Sequence, residues 1–189
     1  MNYTRAGVND WQAVLALQEA NLGWNLEDDD RAGGFLSARF SRAQFEAMNS
    51  AGAVVIARDH GALVGYACAS TQASNTGVPI IAAMMAEFPQ LTFRGRPVQS
   101  PETIIYGPVC VERACRGKGI FRGLIEALKR ELRGRYGTAV AFIAKSNSRS
   151  LAAHVDGLGM TIIGDFEFEG GSFWMIAFGI TSESITCHN

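Results

Sequence analysis

Residues 103–135 read TIIYGPVCVERACRGKGIFRGLIEALKRELRGR: an apolar run, a basic glycine turn and an amphipathic helix. The run from Thr103 to Val111 is rich in β-branched side chains, which suit a buried strand. From Ile120 the apolar residues Ile120, Leu124, Ile125, Leu128 and Leu132 recur with the period of a helix. Arg122, Glu126, Lys129, Arg130 and Arg133 fill most of the opposite face. Between strand and helix stands Arg116-Gly117-Lys118-Gly119. Its missing side chains leave backbone N–H groups open at a helix N-terminus. Unpaired donors and a partial positive charge there suit a phosphate group.

The 189-residue chain is long enough for one sizeable core and too short for two, so a single domain is expected over residues 1–180, with a polar tail at 181–189. Hydrophobic residues at 48% and charged residues at 19% describe a soluble globular domain. A net charge of −1 provides no general attraction to nucleic acid or an anionic membrane. Any basic site must be local, and Arg113, Arg116 and Lys118 propose one. The opening MNYTRAGVNDWQ lacks the profile of a signal peptide, and no apolar run reaches the ~18 residues of a membrane span. Cys68, Cys110, Cys115 and Cys187 form no CxxC pair, and the histidines are scattered, which argues against a zinc site or a disulfide framework. A reduced, cytoplasmic, metal-free protein is expected.

Upstream of the central stretch, residues 3–6 suit a short strand. Asn9 or Asp10 then caps a helix with Trp11, Val14, Leu15 and Leu22 on one face. Glu27-Asp28-Asp29-Asp30, with Gly33 and Gly34, reads as a solvated loop, with attraction of a cationic substrate as the sharper alternative. Ser41 to Gln44 fits a capping box ahead of a second helix through Phe45 and Met48. Residues 53–58 and 62–69 are strand-like and joined by Asp59-His60-Gly61, a hairpin signal in which His60 is a turn residue. Residues 70–101 are the least regular, with a short apolar helix over 78–88. An excursion of that length is either a pocket wall or lid, or an elaborated surface.

Downstream, residues 138–144 form a strand, and Asn147 or Ser148 starts a helix with Leu151, Val155 and Leu158 on one face and Gly159 at its end. Two strands, 160–168 and 172–180, turn at Glu169-Gly170-Gly171, and this final hairpin is a candidate homodimer contact. The element order is that of an α/β (α+β) domain with an antiparallel start and finish.

Two familiar phosphate loops fail on residues. A dinucleotide fingerprint requires GxGxxG in an early βαβ unit, whereas Gly117, Gly119 and Gly123 follow a hairpin and no suitable acid ends the next strand. A P-loop requires GxxxxGK and then Ser or Thr, but Ile120 follows Lys118-Gly119. A purely structural strand-to-helix turn stays open on these residues alone. The segment VERACRGKGI (111–120) resembles the acetyl-CoA-binding motif of the GNAT N-acyltransferase superfamily, Q/R-x-x-G-x-G/A, with Arg116 and Gly119 on its first and fourth positions. Downstream, NSRSLAAHVDGLGM (147–160) resembles the family's Asn-start helix ending in a Gly-Phe-like pair. The two motifs stand in the expected order with one strand between them. The resemblance spans residues 104–178, and covers the N-terminal half only in its order of elements. Phe121 occupies a position where the family usually has Gly or Ala, and His154 one where a tyrosine is common.

The resemblance implies a mixed, mostly antiparallel six- to seven-stranded sheet with helices on both faces, splayed between the fourth and fifth strands. The pantetheine arm of acetyl-CoA would lie in that gap, pairing with backbone groups of Val109, Cys110 and Val111. The pyrophosphate would take N–H groups from Arg116, Gly117, Lys118, Gly119, Ile120 and Phe121. Asn147 is either a contact to the co-substrate or the neighbouring loop, or a plain helix cap. Pro108 lacks a ladder donor and, beside Gly107, points to a bulge or bend near the thioester.

The implied reaction is direct transfer of acetyl from acetyl-CoA to an amine of a small molecule or peptide. A non-catalytic acyl-CoA-binding or sensing domain is the alternative. Such a transfer needs a base or water path for the amine, an acid for the thiolate and a donor for the oxyanion. His154 is the candidate acid, because an unperturbed imidazole titrates near ~6.5. Its place on the apolar helix face equally suits a buried structural histidine. Glu102, Tyr106 and Glu112 are the candidate bases. Cys110 is a conceivable nucleophile without a visible partner, and a small core residue otherwise.

Overall fold

The structure, a computed structural model, describes residues 1–27 and 34–180. Asp28 to Gly33 of the acidic loop and the tail at 181–189 lie outside the described residues. Strand β1 (Asn2–Arg5) leads into helix α1 (Trp11–Glu19). Asp10 precedes α1 without capping it: its carboxylate accepts from Gly7 N–H at 2.7 Å and from Arg58 at 2.6 Å. Leu22 is fully buried but lies beyond the helix end. Helix α2 (Arg42–Ala51) opens with the expected capping box, in which Ser41 Oγ accepts Gln44 N–H and Gln44 Oε1 accepts Ser41 N–H. Strands β2 (Ala53–Asp59) and β3 (Ala62–Ser70) close through His60 and Gly61 at φ 46° and 88°, the left-handed pair of a type I′ turn.

The excursion after β3 holds helix α3 (Pro79–Ala86) and a small two-stranded ribbon, β4 (Thr92–Phe93) with β5 (Arg96–Pro97), that the sequence pattern does not announce. Two-residue strands are too short to show an alternation. Then come β6 (Thr103–Val111), α4 (Ile120–Leu132), β7 (Thr138–Ala144), α5 (Ser148–Leu158), β8 (Thr161–Phe168) and β9 (Gly171–Gly179), within a residue of their expected bounds.

One seven-stranded sheet runs β1-β2-β3-β6-β7-β9-β8. Every neighbouring pair is antiparallel except β6 and β7, which α4 connects as a parallel crossover. That parallel ladder is short: Thr103 pairs with Thr138, Ile104 with Ala139 and Ile105 with Val140. Beyond Ile105, β6 continues along β3 and β7 along β9, so the sheet splays between its fourth and fifth strands. A bulge sits where the splay begins. Ala67 pairs with Val109 and Ala69 with Tyr106, which sets Gly107 and Pro108 opposite the single residue Cys68. Gly107 takes a φ of 112°, closed to ordinary side chains, and Pro108 has no N–H to leave unpaired.

Strand alternation distributes the core over both faces. On one face Val55, Ala67, Ile104 and Tyr106 pack against Leu124, Leu128 and Leu132 of α4. On the other, Val54, Ile56 and Tyr66 meet α1 and α2, while Ile105, Val140 and Met175 meet Met84 of α3. Each fully buried leucine of α4 contributes about 1.5–3 kcal/mol, enough to seat the helix. The N-terminus of α4 is thereby held over the open end of the splay. Among the described residues, no helix is long and apolar enough to cross a membrane.

Candidate active site

The glycine turn begins with a 3-10 turn at Arg113–Cys115, where Glu112 accepts the Arg113 N–H at 2.9 Å. Gly117 and Gly119 both adopt φ 77°, and Gly119 stands at the N-cap of α4 with no side-chain cap. A Cβ at either glycine would meet nothing within 4 Å. The first-turn N–H groups of α4 have no intrahelical partners and open on a cavity of about 480 Å3. Val109, Val111, Gly117, Gly119, Phe121 and Ala153 are among its walls. Partial charge, open donors and space coincide there, an arrangement that suits an anion.

At the other end of the cavity, β6 and α5 meet. Tyr106 Oη lies 3.1 Å from His154 Nε2, and His154 Nδ1 lies 2.7 Å from the Ser150 carbonyl oxygen. A carbonyl only accepts, so Nδ1 carries the ring proton and Tyr106 donates its own to Nε2. Burial pushes the His154 pKa down to about 4, against the opposing pull of the Ser150 bond. Burial also pushes Tyr106 well above the usual phenol range, with the neighbouring Cys68 adding to the rise. Both groups are therefore neutral at pH 7. The Phe121 ring packs against His154 edge-on, with centroids 4.7 Å apart. A second cavity, about 120 Å3, continues through the splay from this pair and shares Phe35, Leu36, Val109, Ser150 and His154 with the first.

Residues 11–160 match the sequence profile of the acetyltransferase (GNAT) family. The chain belongs to the GNAT acetyltransferase family. No curated protein matches it in sequence. In structure this GNAT domain is similar to a ribosomal-protein-alanine N-acetyltransferase from Brucella melitensis (20% identity, TM-score 0.61, 95% of this chain and 99% of that one). It is also similar to a GNAT superfamily phosphinothricin acetyltransferase from Sinorhizobium meliloti in complex with acetyl-CoA (17%, 0.62, 94% and 87%). A third likeness is to an aminoglycoside 6'-acetyltransferase type Ii (17%, 0.63, 96% and 99%). At these identities the likeness is one of fold. Three names with three different acceptors on one fold leave the acceptor to be argued from the site.

The GNAT site gathers most of the residues singled out in the sequence and leaves others aside. Val109, Cys110, Val111, Arg116, Gly117, Gly119, Ile120 and Phe121 line the first cavity, and Lys118 is exposed on the turn between them. The Arg116 side chain does not serve the turn as a loose charge. Its guanidinium donates to Asn21 Oδ1 at 2.7 Å, Val111 C=O at 3.1 Å and Gly34 C=O at 3.4 Å. Asn147 is both cap and loop contact: Oδ1 accepts Ser150 N–H at 3.1 Å and Nδ2 donates to Phe35 C=O at 2.9 Å. It lines the second cavity, not the first.

Glu102 is not brought to the site. Its carboxylate is 65% exposed, faces Arg96 at 3.7 Å and stands four residues, roughly 13 Å, along the strand from Tyr106. Cys110 is buried, and its thiol is pushed up to about 12, which leaves a core residue and no nucleophile. Burial lowers the His154 pKa to about 4, which speaks against the imidazolium acid its ordinary pKa suggests. Three contributors escape the sequence reading. Ser150 sets the His154 tautomer and was readable from its i, i+4 spacing on one helix. Phe35 arrives from a distant loop and Ile81 from α3 of the excursion, and neither is singled out by a local signal of its own. Among the described residues, no cluster of His, Cys, Asp and Glu is placed to hold a metal.

Proposed function

We propose that this GNAT domain transfers the acetyl group of acetyl-CoA directly to an amine of a small molecule or peptide. The observation that carries the reading is the alignment of an anion cradle, an unpaired strand edge and a neutral Tyr106–His154 pair along one cleft. The pyrophosphate sits on the N–H groups of the 116–121 turn, and the pantetheine arm runs along β6 from Val111 toward Gly107. Its amides pair with the edge that β7 leaves when the sheet splays. The thioester then lies beside the bulge, within reach of Tyr106.

In the reaction the amine nitrogen forms a bond to the carbonyl carbon, the C–S bond breaks, and its electron pair goes to sulfur. The amine sheds one proton, and sulfur gains one. Tyr106 supplies that proton as a neutral phenol, swinging its O–H from His154 Nε2 to the departing thiolate, and His154 holds the phenol in place until then. The proton shed by the amine passes through water and restores the Tyr106 phenol; no carboxylate occurs among the described residues lining either cavity. The test is calorimetry with CoA, together with thiol release from acetyl-CoA over an amine panel. Micromolar CoA binding with amine-dependent thiol release is expected. Absent CoA binding overturns the reading, and binding without release on any amine turns it into an acyl-CoA sensor.

A further inference from the structure

The second cavity crosses the splay from one face of the sheet to the other. Tyr106, Ser150 and His154 wall it on the side of α4 and α5, and Ile81, Ile105 and Phe142 on the side of α3. At about 120 Å3 it has room for several water-sized groups. The amide of Asn147, the phenol of Tyr106 and the ring of His154 are already engaged. Asn147 bonds Ser150 and Phe35, and His154 bonds Ser150 and Tyr106. No Asp, Glu, Lys or Arg is among the described residues that line it.

These walls discriminate by chemistry. A second ammonium entering the cavity would lose its water without gaining a counter-charge from the described residues that line it, which is heavily unfavourable. A methylene entering it gains the free energy of leaving water. The donor thioester reaches the cavity from the walls it shares with the first, at Val109, Ser150 and His154. The walls at Ile81, Ile105 and Phe142 lie on the face the donor does not traverse. That far half belongs to the acceptor.

We propose that the second cavity receives the part of the acceptor next to its amine, and that this part is apolar and uncharged. The substrate class is a primary amine on an alkyl or aryl skeleton, not a polyamine or an aminosugar. Ile81, carried on the excursion between β3 and β6, determines that specificity. The inference rests on the acetyl-transfer reading above.

The experiment is a series of n-alkylamines from methylamine to hexylamine at saturating acetyl-CoA, with spermidine as the polycationic comparison. The expected result is a kcat/KM that rises roughly fourfold per methylene over the first few carbons and then levels off. Spermidine should be at least about tenfold poorer than hexylamine, the expected direction of a desolvated second charge. Ile81→Gln should flatten the chain-length slope while the CoA Kd from calorimetry stays put. A flat series, a preference for spermidine, or a slope that appears only when the donor is lengthened from acetyl-CoA to butyryl-CoA each overturns the assignment. If CoA binds and no amine is acetylated, the transfer reading fails by itself. The cavity is then read by ligand-observed NMR of hexylamine on the CoA-loaded protein. Saturable binding lost in Ile81→Gln supports the pocket, and absent binding overturns it.

Discussion

The Tyr106 hydroxyl donates to His154 Nε2 across 3.1 Å, and the direction of that bond is set from the far side of the ring. Ser150, one helical turn before His154, accepts from Nδ1 and so leaves Nε2 with its lone pair. A strand contributes the phenol and a helix the imidazole, and burial keeps both uncharged. An apolar pocket that holds a neutral donor against a neutral acceptor keeps a proton ready without a buried charge.

Tyr106→Phe removes the proton donor and keeps the ring that packs edge-on against Phe178. We expect kcat to fall about 10²-fold, the lower range for general acid catalysis, with the CoA Kd unchanged. His154→Gln keeps an acceptor for the phenol and should lose less. Neither kcat profile should show an inflection near pH 6.5 that the other lacks, because His154 does not titrate there in the folded protein. A wild-type limb near 6.5 that disappears in His154→Gln would restore the imidazolium acid.

His154 also makes stability depend on pH. Above pH 6.5 the ring is neutral in the folded and unfolded chain alike. Between pH 6.5 and about 4 the unfolded chain binds a proton that the folded chain refuses, so stability falls as pH falls. The slope contributed is ~1.4 kcal/mol per pH unit, up to about 3 kcal/mol in all. Urea unfolding at pH 7, 6 and 5 checks this, with the wild type losing more than His154→Gln at each step. Parallel curves would contradict it.

Gly119 tests the anion cradle. Gly119→Ala strains a backbone at φ 77° and should cost about 1 kcal/mol of stability. Gly119→Glu adds a carboxylate in open space over the same turn, where a Cβ meets no other atom within 4 Å. CoA affinity should fall by a further tenfold or more between the two variants, an effect of charge and bulk at the phosphate position. Equal CoA affinities for the alanine and glutamate proteins would remove the phosphate from this turn.

Arg116 works as a planar fork whose bonds tie the end of β6 to Asn21 and Gly34. Arg116→Lys keeps the charge but cannot reach all three acceptors, so it should destabilise the protein by about 1–2 kcal/mol. Equilibrium denaturation measures the loss. A lysine variant as stable as the wild type would show that charge alone is what matters there.

Much of the fold was legible because its signals are local. The capping box at Ser41 and Gln44, the left-handed turn at His60 and Gly61, and the glycines around Arg116 act over two to four residues, and the structure keeps each of them. The apolar face of α5 lies where the periodicity puts it, and His154 is buried there, one of the two roles its position suits. Leu151, Val155 and Leu158 are only half-buried, and the residue the helix buries fully is His154. Periodicity reports which side faces inward, and cannot report how deep each residue sits.

The sequence by itself determined the strand–turn–helix at 103–135, the Asn-started helix that follows it, and hence the sheet with a glycine turn at the N-terminus of α4. Hydrogen-bonding periods and positive-φ glycines are properties of neighbours along the chain. The tertiary structure alone decided what the side chains do. Arg116 meets Asn21 across 95 positions, Asn147 meets Phe35 across 112, and Tyr106 meets His154 across 48. Protonation and hydrogen-bond direction depend on the dielectric and the partners around a group, and folding brings those from far along the chain. Glu102 shows the same rule from the other side: close to Tyr106 in sequence, it is left in solvent by the strand that separates them.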